Sequence, residues 1–177
     1  MWSTPRKRRR SPRFWARYVA ASRYHYRPFV EVAEAPSVFF EGADFEQTDV
    51  FKFSLDNGQA DFFGKGQVPG TILNQFSMDE ANGYFQIATT TGEVWQDGEN
   101  ASKNHVYVLG VNMVLVGRLD NIAPGERIYA TRFMGDRLYM VTFRQVDPFF
   151  VIDLKDPTHP AVLGALKIPG YSQYLHP

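Results

Sequence analysis

Short apolar runs, most of them alternating with polar residues, dominate the chain from residue 49 onward. They include DVFKFSLDNG (49–58), ADFFGKGQVPG (60–70), YFQIATTT (84–91), HVYVLGVN (105–112), VLVGRLDNIAPG (114–125), RLYMVTFR (137–144), FFVIDLKDP (149–157) and AVLGALKIPG (161–170). Each is dense in Val, Ile, Tyr or Phe and bounded by turn-forming residues, a pattern that predicts strands rather than helices. Asp56-Asn57-Gly58, Asn82-Gly83 and Met134-Gly135-Asp136-Arg137 predict tight turns, because Asn and Gly tolerate positive φ. Asp156-Pro157 and His159-Pro160 bracket a loop that proline keeps from continuing as strand. HVYVLG and FFVIDL are nearly continuous in apolar character, which predicts strands packed on both faces. No window of a dozen residues shows helical periodicity.

The runs repeat. Pro-Gly pairs fall at 69–70, 124–125 and 169–170, each at the close of a run that leads in with glycine. After the first two pairs come TILNQFSMD with YFQIATTT (71–91) and ERIYATRFM with RLYMVTFR (126–144). The longer first period reflects GEVWQDGENASKN (92–104), a polar, Gly- and Asn-rich stretch that reads as a long surface loop. Four strands per repeat, over about 45–55 residues, predict the blade of a β-propeller. A β-sandwich or an open meander also has closely spaced strands, but gives no reason for one Pro-Gly phrase to recur. The expected architecture is therefore all-β: a partial β-propeller of about two to three four-stranded antiparallel blades. The divisions are a blade remnant at 18–70, blades at 71–125 and 126–170, and the start of another at 171–177. The strand after each Pro-Gly is expected to line the central channel. On that register Gln75-Phe76 and Arg132-Phe133 are equivalent, with Phe between blades and its polar neighbour toward the channel.

Charge changes the picture at the N-terminus. The formal net charge is zero, yet residues 1–17 hold Arg6, Lys7, Arg8, Arg9, Arg10, Arg13 and Arg17 and no acid. The first 17 residues thus carry +7 and the remainder −7. A secretory signal needs an apolar stretch of about 7–15 residues after its charges, and Arg17 interrupts Phe14-Trp15-Ala16 at once. RKRRR fits a nucleic-acid or nuclear-targeting patch by composition alone. The reading adopted for 1–17 is a disordered or non-native basic tail. An acidic body argues against nucleic-acid binding by the folded part. Cysteine is absent, which excludes disulfides, thiolate metal sites and cysteine nucleophiles. No run of roughly 18 apolar residues exists to span a membrane as a helix.

VPGTILNQFSMDEANGYFQIATTT, APGERIYATRFMGDRLYMVTFRQVDPFFVIDLKDP and LKIPGYSQYLHP closely resemble a family of largely uncharacterised archaeal and bacterial proteins with a C-terminal β-propeller. The likeness runs through about 49–177, with a weaker match at YVAASRYHYRPF (18–29). It implies a secreted or cell-surface protein with further blades beyond this chain. Two to three blades cannot form a ring, since propellers close with about 4–8. The expectation is thus of a fragment that needs missing propeller blades for closure.

Candidate chemistry is sparse. His25, His105, His159 and His176 show no metal-binding spacing, and Asp153 and Asp156 fit a turn better than a Ca²⁺ loop. Asp79-Glu80 and Asp136 lie in turns. There is no nucleophile elbow or phosphate loop. No catalytic, cofactor or metal residue is assigned. Trp95 in the long loop, with Tyr24 and Tyr26, would suit a sugar or peptide surface, or would fold back over an apolar blade edge. Asn100-Ala101-Ser102 fits a glycosylation sequon, relevant only after export. The binding candidates are Gln75, Trp95, Arg132 and His176. The expected role is a non-catalytic binding module for a protein or polysaccharide. The alternative is a hydrolase-type enzyme at the channel mouth, using Gln75, Arg132 and His176. A WD-type scaffold fits less well, because the Gly-His and Trp-Asp phrases are missing.

Overall fold

A computed structural model of the chain describes residues 15–24, 46–56, 59–143 and 147–168. Its eleven described strands fall into three antiparallel sheets, each a meander in chain order. The first holds β1 (Trp15–Tyr24), β2 (Glu46–Asp56) and β3 (Gln59–Pro69). The second holds β4 (Met78–Ala81), β5 (Tyr84–Thr91), β6 (Lys103–Leu109) and β7 (Leu115–Ile122). The third holds β8 (Arg127–Met134), β9 (Arg137–Phe143), β10 (Asp147–Asp153) and β11 (Ala161–Ile168). This is the all-β, partial-propeller architecture expected from the repeats. β1 begins at Trp15, inside the segment read as a tail.

Period-two alternation explains how the sheets stack. On β5 and β6, Phe85, Ile87, Tyr107 and Leu109 turn one way and pack with Val50 and Val68 of the first sheet and Met113. Ala88, Val106 and Val108 turn the other way and pack with Ile128, Phe133, Leu138, Met140 and Ile152 of the third. The second sheet is therefore buried on both faces, as continuous apolar strands require. Two of the expected tight turns fall where the sequence places them, at Asn82 (φ 54°) with Gly83 (φ 81°) and at Gly135 (φ 62°); Asn57 and Gly58 of the third lie outside the described residues.

One expectation needs correcting. Gln75 and Phe76 are not on a strand equivalent to β8. Residues Gln75–Ser77 form a 3₁₀ turn, with Asn74 Oδ1 accepting the Phe76 N–H at 2.9 Å. An Asn side chain offering the backbone this bond competes with extended structure, so the strand starts only at Met78. Counted back from their hairpins, Asp79, not Gln75, stands level with Arg132.

Candidate functional site

The segment joining β5 to β6 is ordered by its own backbone. Glu93 N–H donates to Asn100 O (3.1 Å), and Gln96 N–H and Ser102 N–H both donate to Glu93 O (3.2 and 3.1 Å). Gly92 adopts φ 72°, and a Cβ there would stand 2.7 Å from the carbonyl oxygens of Asn100 and Ala101. Glycine is needed both for the left-handed turn and for the close approach. Ser102 anchors the far end: its hydroxyl donates to Glu126 O (2.7 Å), and its carbonyl accepts Gly125 N–H (2.7 Å). At the tip Trp95 is 90% exposed. The indole does not fold back over a blade edge, so of the two readings of Trp95 the geometry supports outward display.

Two hydrogen-bond networks fix this loop to the sheets. In the first, buried Asn104 donates through Nδ2 to Ile122 O and Glu126 O (both 3.0 Å) and accepts from Thr90 Oγ1 (2.8 Å). Thr142 of β9 donates its hydroxyl to the Glu126 carboxylate, which extends the network into the third sheet. In the second, a bulge between Asn104 and Val106 aims His105 at Asp120, with Nδ1 and Oδ1 3.0 Å apart. Its Nε2 lies 2.9 Å from Thr91 Oγ1, and its ring stacks on Tyr107 with centroids 5.8 Å apart. Arg118 Nε pairs with the other Asp120 oxygen at 3.1 Å. The hydrogen bond to His105 holds the Asp120 carboxyl below its usual range despite partial burial, with help from the His105 and Arg118 charges. Burial, and then the Asp120 charge, push the Tyr107 phenol well above its ordinary value.

Thr91, His105 and Asp120 reproduce the connectivity of a hydroxyl–imidazole–carboxylate relay. His105 is only 7% exposed, however, and the Thr91 hydroxyl also lies 3.5 Å from Lys103 O, across the strand pair. These bonds tie β5, β6 and β7 together under the loop. The sequence signal for the network was slight, since one histidine between Asn104 and Val106 says nothing of its partners across the sheet. Gln86 was missed as well. It is 2% exposed, and its Oε1 has no hydrogen-bond partner among the described residues.

The other sequence-predicted residues separate. Gln75 is exposed on the 3₁₀ turn, which packs against β8 through Ser77 Oγ and Thr131 Oγ1, 3.0 Å apart. Arg132 is half-buried, its guanidinium 5.5 Å from the Phe76 ring centroid. The structure thus brings Gln75 and Arg132 onto neighbouring elements, while Trp95 stands on the β5–β6 loop. His176 and Tyr26 lie outside the described residues, as does His25. Asp153 and Asp156 serve turns: their Oδ1 atoms accept the N–H groups of Lys155 and Thr158, both at 2.9 Å. The Thr158 bonds, with His159 adding to them, bring the Asp156 carboxyl down to about 2. Asn100, in the sequon, is exposed, whereas the Ser102 hydroxyl is buried.

Comparison with known proteins places this geometry among relatives. A family model described as "Beta propeller domain" matches residues 18–177. Over 134 residues the chain is 49% identical to an uncharacterised protein of Methanocaldococcus jannaschii, covering 76% of this chain and 21% of that protein. Over 133 residues it is 47% identical to an uncharacterised protein of Archaeoglobus fulgidus, covering 75% and 20% respectively. The chain spans about a fifth of the length of these curated relatives. No solved structure matches it.

Proposed function

The chain belongs to the beta propeller domain family, and from that premise we propose that it is a non-catalytic binding module of a secreted or cell-surface protein. In this reading the β5–β6 loop docks on a polysaccharide or protein partner. The observation that carries the reading is Trp95, held 90% exposed at the tip of a loop whose base is fixed by backbone bonds. A flat aromatic face on an ordered loop loses little conformational entropy on binding, so most of its contact energy appears as affinity. An indole stacks equally on the C–H face of a sugar ring or on an apolar side chain, and Glu93 and Asp97, each two residues away in the chain, are exposed as well.

A hydrolase-type reading has one observation in its favour, the Thr91–His105–Asp120 connectivity. The burial of His105 and the bond reach of Thr91 to Lys103 favour a structural role for it. The deciding experiment measures retention of the chain on immobilised cell-envelope polysaccharide and protein fractions, beside its Trp95→Ala variant. Loss of an aromatic anchor is expected to weaken binding by roughly 30-fold or more, with circular dichroism unchanged. Equal retention of both proteins refutes the reading, and turnover lost in His105→Ala with the fold intact would support the hydrolase instead.

A further inference from the structure

The two nitrogens of His105 face partners of unequal kind. Nδ1 lies 3.0 Å from Asp120 Oδ1 on β7, and Nε2 lies 2.9 Å from Thr91 Oγ1 on β5. The Asp120 carboxyl, held below its usual range chiefly by that bond, is ionised at neutral pH and can only accept hydrogen bonds. Nδ1 therefore carries a hydrogen and donates it to Asp120. In the neutral ring Nε2 is then an acceptor, and the Thr91 hydroxyl donates to it.

Position gives this bond its leverage. Thr91 closes β5, Lys103 opens β6, and the two stand opposite each other as the last strand pair before the Trp95 loop. The hydroxyl has a second acceptor in reach there, Lys103 O at 3.5 Å, but a single hydrogen to give. A protonated ring donates from both nitrogens. Nε2–H then donates to Thr91 Oγ1, and the hydroxyl hydrogen is released to Lys103 O. The positive charge so gained meets the Asp120 carboxylate, whose other oxygen pairs with Arg118 Nε at 3.1 Å. Strand alternation puts Lys103 and Tyr107 on the ring's side of β6. From the first sheet, β2 turns Glu46 and Lys52 the same way as Val50, which packs on this face, and the Lys52 ammonium donates to Val111 O at 3.4 Å. On β3 the corresponding residues are Gly64, Gly66 and Val68, and on β5 Phe85, Ile87 and Thr89, none of them ionisable.

We propose that His105 is a proton-operated latch at the base of the Trp95 loop. Between about pH 8 and 5 the ring takes up a proton, and the Thr91 hydroxyl passes from Nε2 to Lys103 O, which ties the two ends of the loop together. The loop is thus held more tightly in acid than at neutral pH. The latch acts on the free chain, so it stands or falls separately from what Trp95 binds.

Nuclear magnetic resonance on the 177-residue chain tests it through the ring and the loop together. At pH 8 long-range proton–nitrogen correlations should find His105 protonated on Nδ1 and bare on Nε2, and at pH 5 protonated on both. Over the same range the hydrogen-exchange protection of Glu93 N–H and Ser102 N–H, which close the loop, should rise about 3- to 10-fold, as one added hydrogen bond allows. Protection factors correct for the intrinsic pH dependence of exchange, and the amides of β9 in the third sheet give the reference for global stability. In Thr91→Val the ring still titrates while loop protection stays flat. A bare Nδ1 at pH 8, or a ring still neutral at pH 5, overturns the proposal. So does flat loop protection in the parent while its ring titrates, or an equal rise in Thr91→Val.

Discussion

Replacing Asn104 by alanine removes a side chain that ties β5 and β7 to the segment leading from the second sheet into the third. Asn104 is completely buried, donates to Ile122 O and Glu126 O, and accepts from Thr90 Oγ1. Glu126 O keeps its bond from the Ser102 hydroxyl, so its loss is partial. The Ile122 carbonyl and the Thr90 hydroxyl are left short of a partner in a dry site, at about 1–3 kcal/mol for each such group. Allowing for relaxation, the expected destabilisation is about 3 kcal/mol. That is a large fraction of the roughly 5–15 kcal/mol of a whole domain. Urea unfolding followed by circular dichroism measures it, with Thr90→Val and the double variant completing a cycle. The two sites should couple by about 1 kcal/mol, because each single change already breaks their shared bond. A loss of under 1 kcal/mol for Asn104→Ala, or additivity in the cycle, refutes the claim that this network holds β5, β7 and the segment into the third sheet together.

Other consequences follow from the same packing. Leu138→Ala empties a fully buried position in the core between the second and third sheets and should cost about 2–5 kcal/mol in a urea melt. Gln86→Met keeps a similar volume but deletes the buried Oε1 that has no partner among the described residues, so it should stabilise the chain by about 1 kcal/mol; a loss would show that the amide is satisfied. Asp120 has a folded-state pKa below its unfolded value, chiefly through the His105 hydrogen bond. Its contribution is thus fully present above about pH 4 and fades as pH falls through the folded value. Stability measured from pH 7 to pH 2 should decline less steeply at the acid end for Asp120→Asn than for the parent, and parallel curves would contradict the assignment.

Strand positions were legible because each run carries its period in its own residues. YFQIATTT and RLYMVTFR became β5 and β9, and the alternation of Phe85 and Ile87 against Ala88 already encodes two buried faces. What sequence could not supply was anything set by contacts between runs. The Asn74 side chain turned Gln75-Phe76 out of strand. The bulge beside His105 brought it to Asp120, a partner on another strand. The glycines of the closing runs were visible as a repeat, but what presses on Gly66 and Gly117, a backbone carbonyl from a loop of the next sheet, appears only in three dimensions. Trp95 was singled out for its place in a polar loop, and its direction needed the backbone bonds that hold the loop.

The central structural claim is that successive meanders stack face to face with a separate apolar core at each junction. Methyl–methyl nuclear Overhauser effects in a selectively labelled full chain test it most directly. Ile87 and Leu109 should report on Val50 and Val68, while Val106 and Val108 report on Leu138 and Ile152. Cross-peaks linking Val50 or Val68 to Leu138 or Ile152, as one merged core would give, would contradict it.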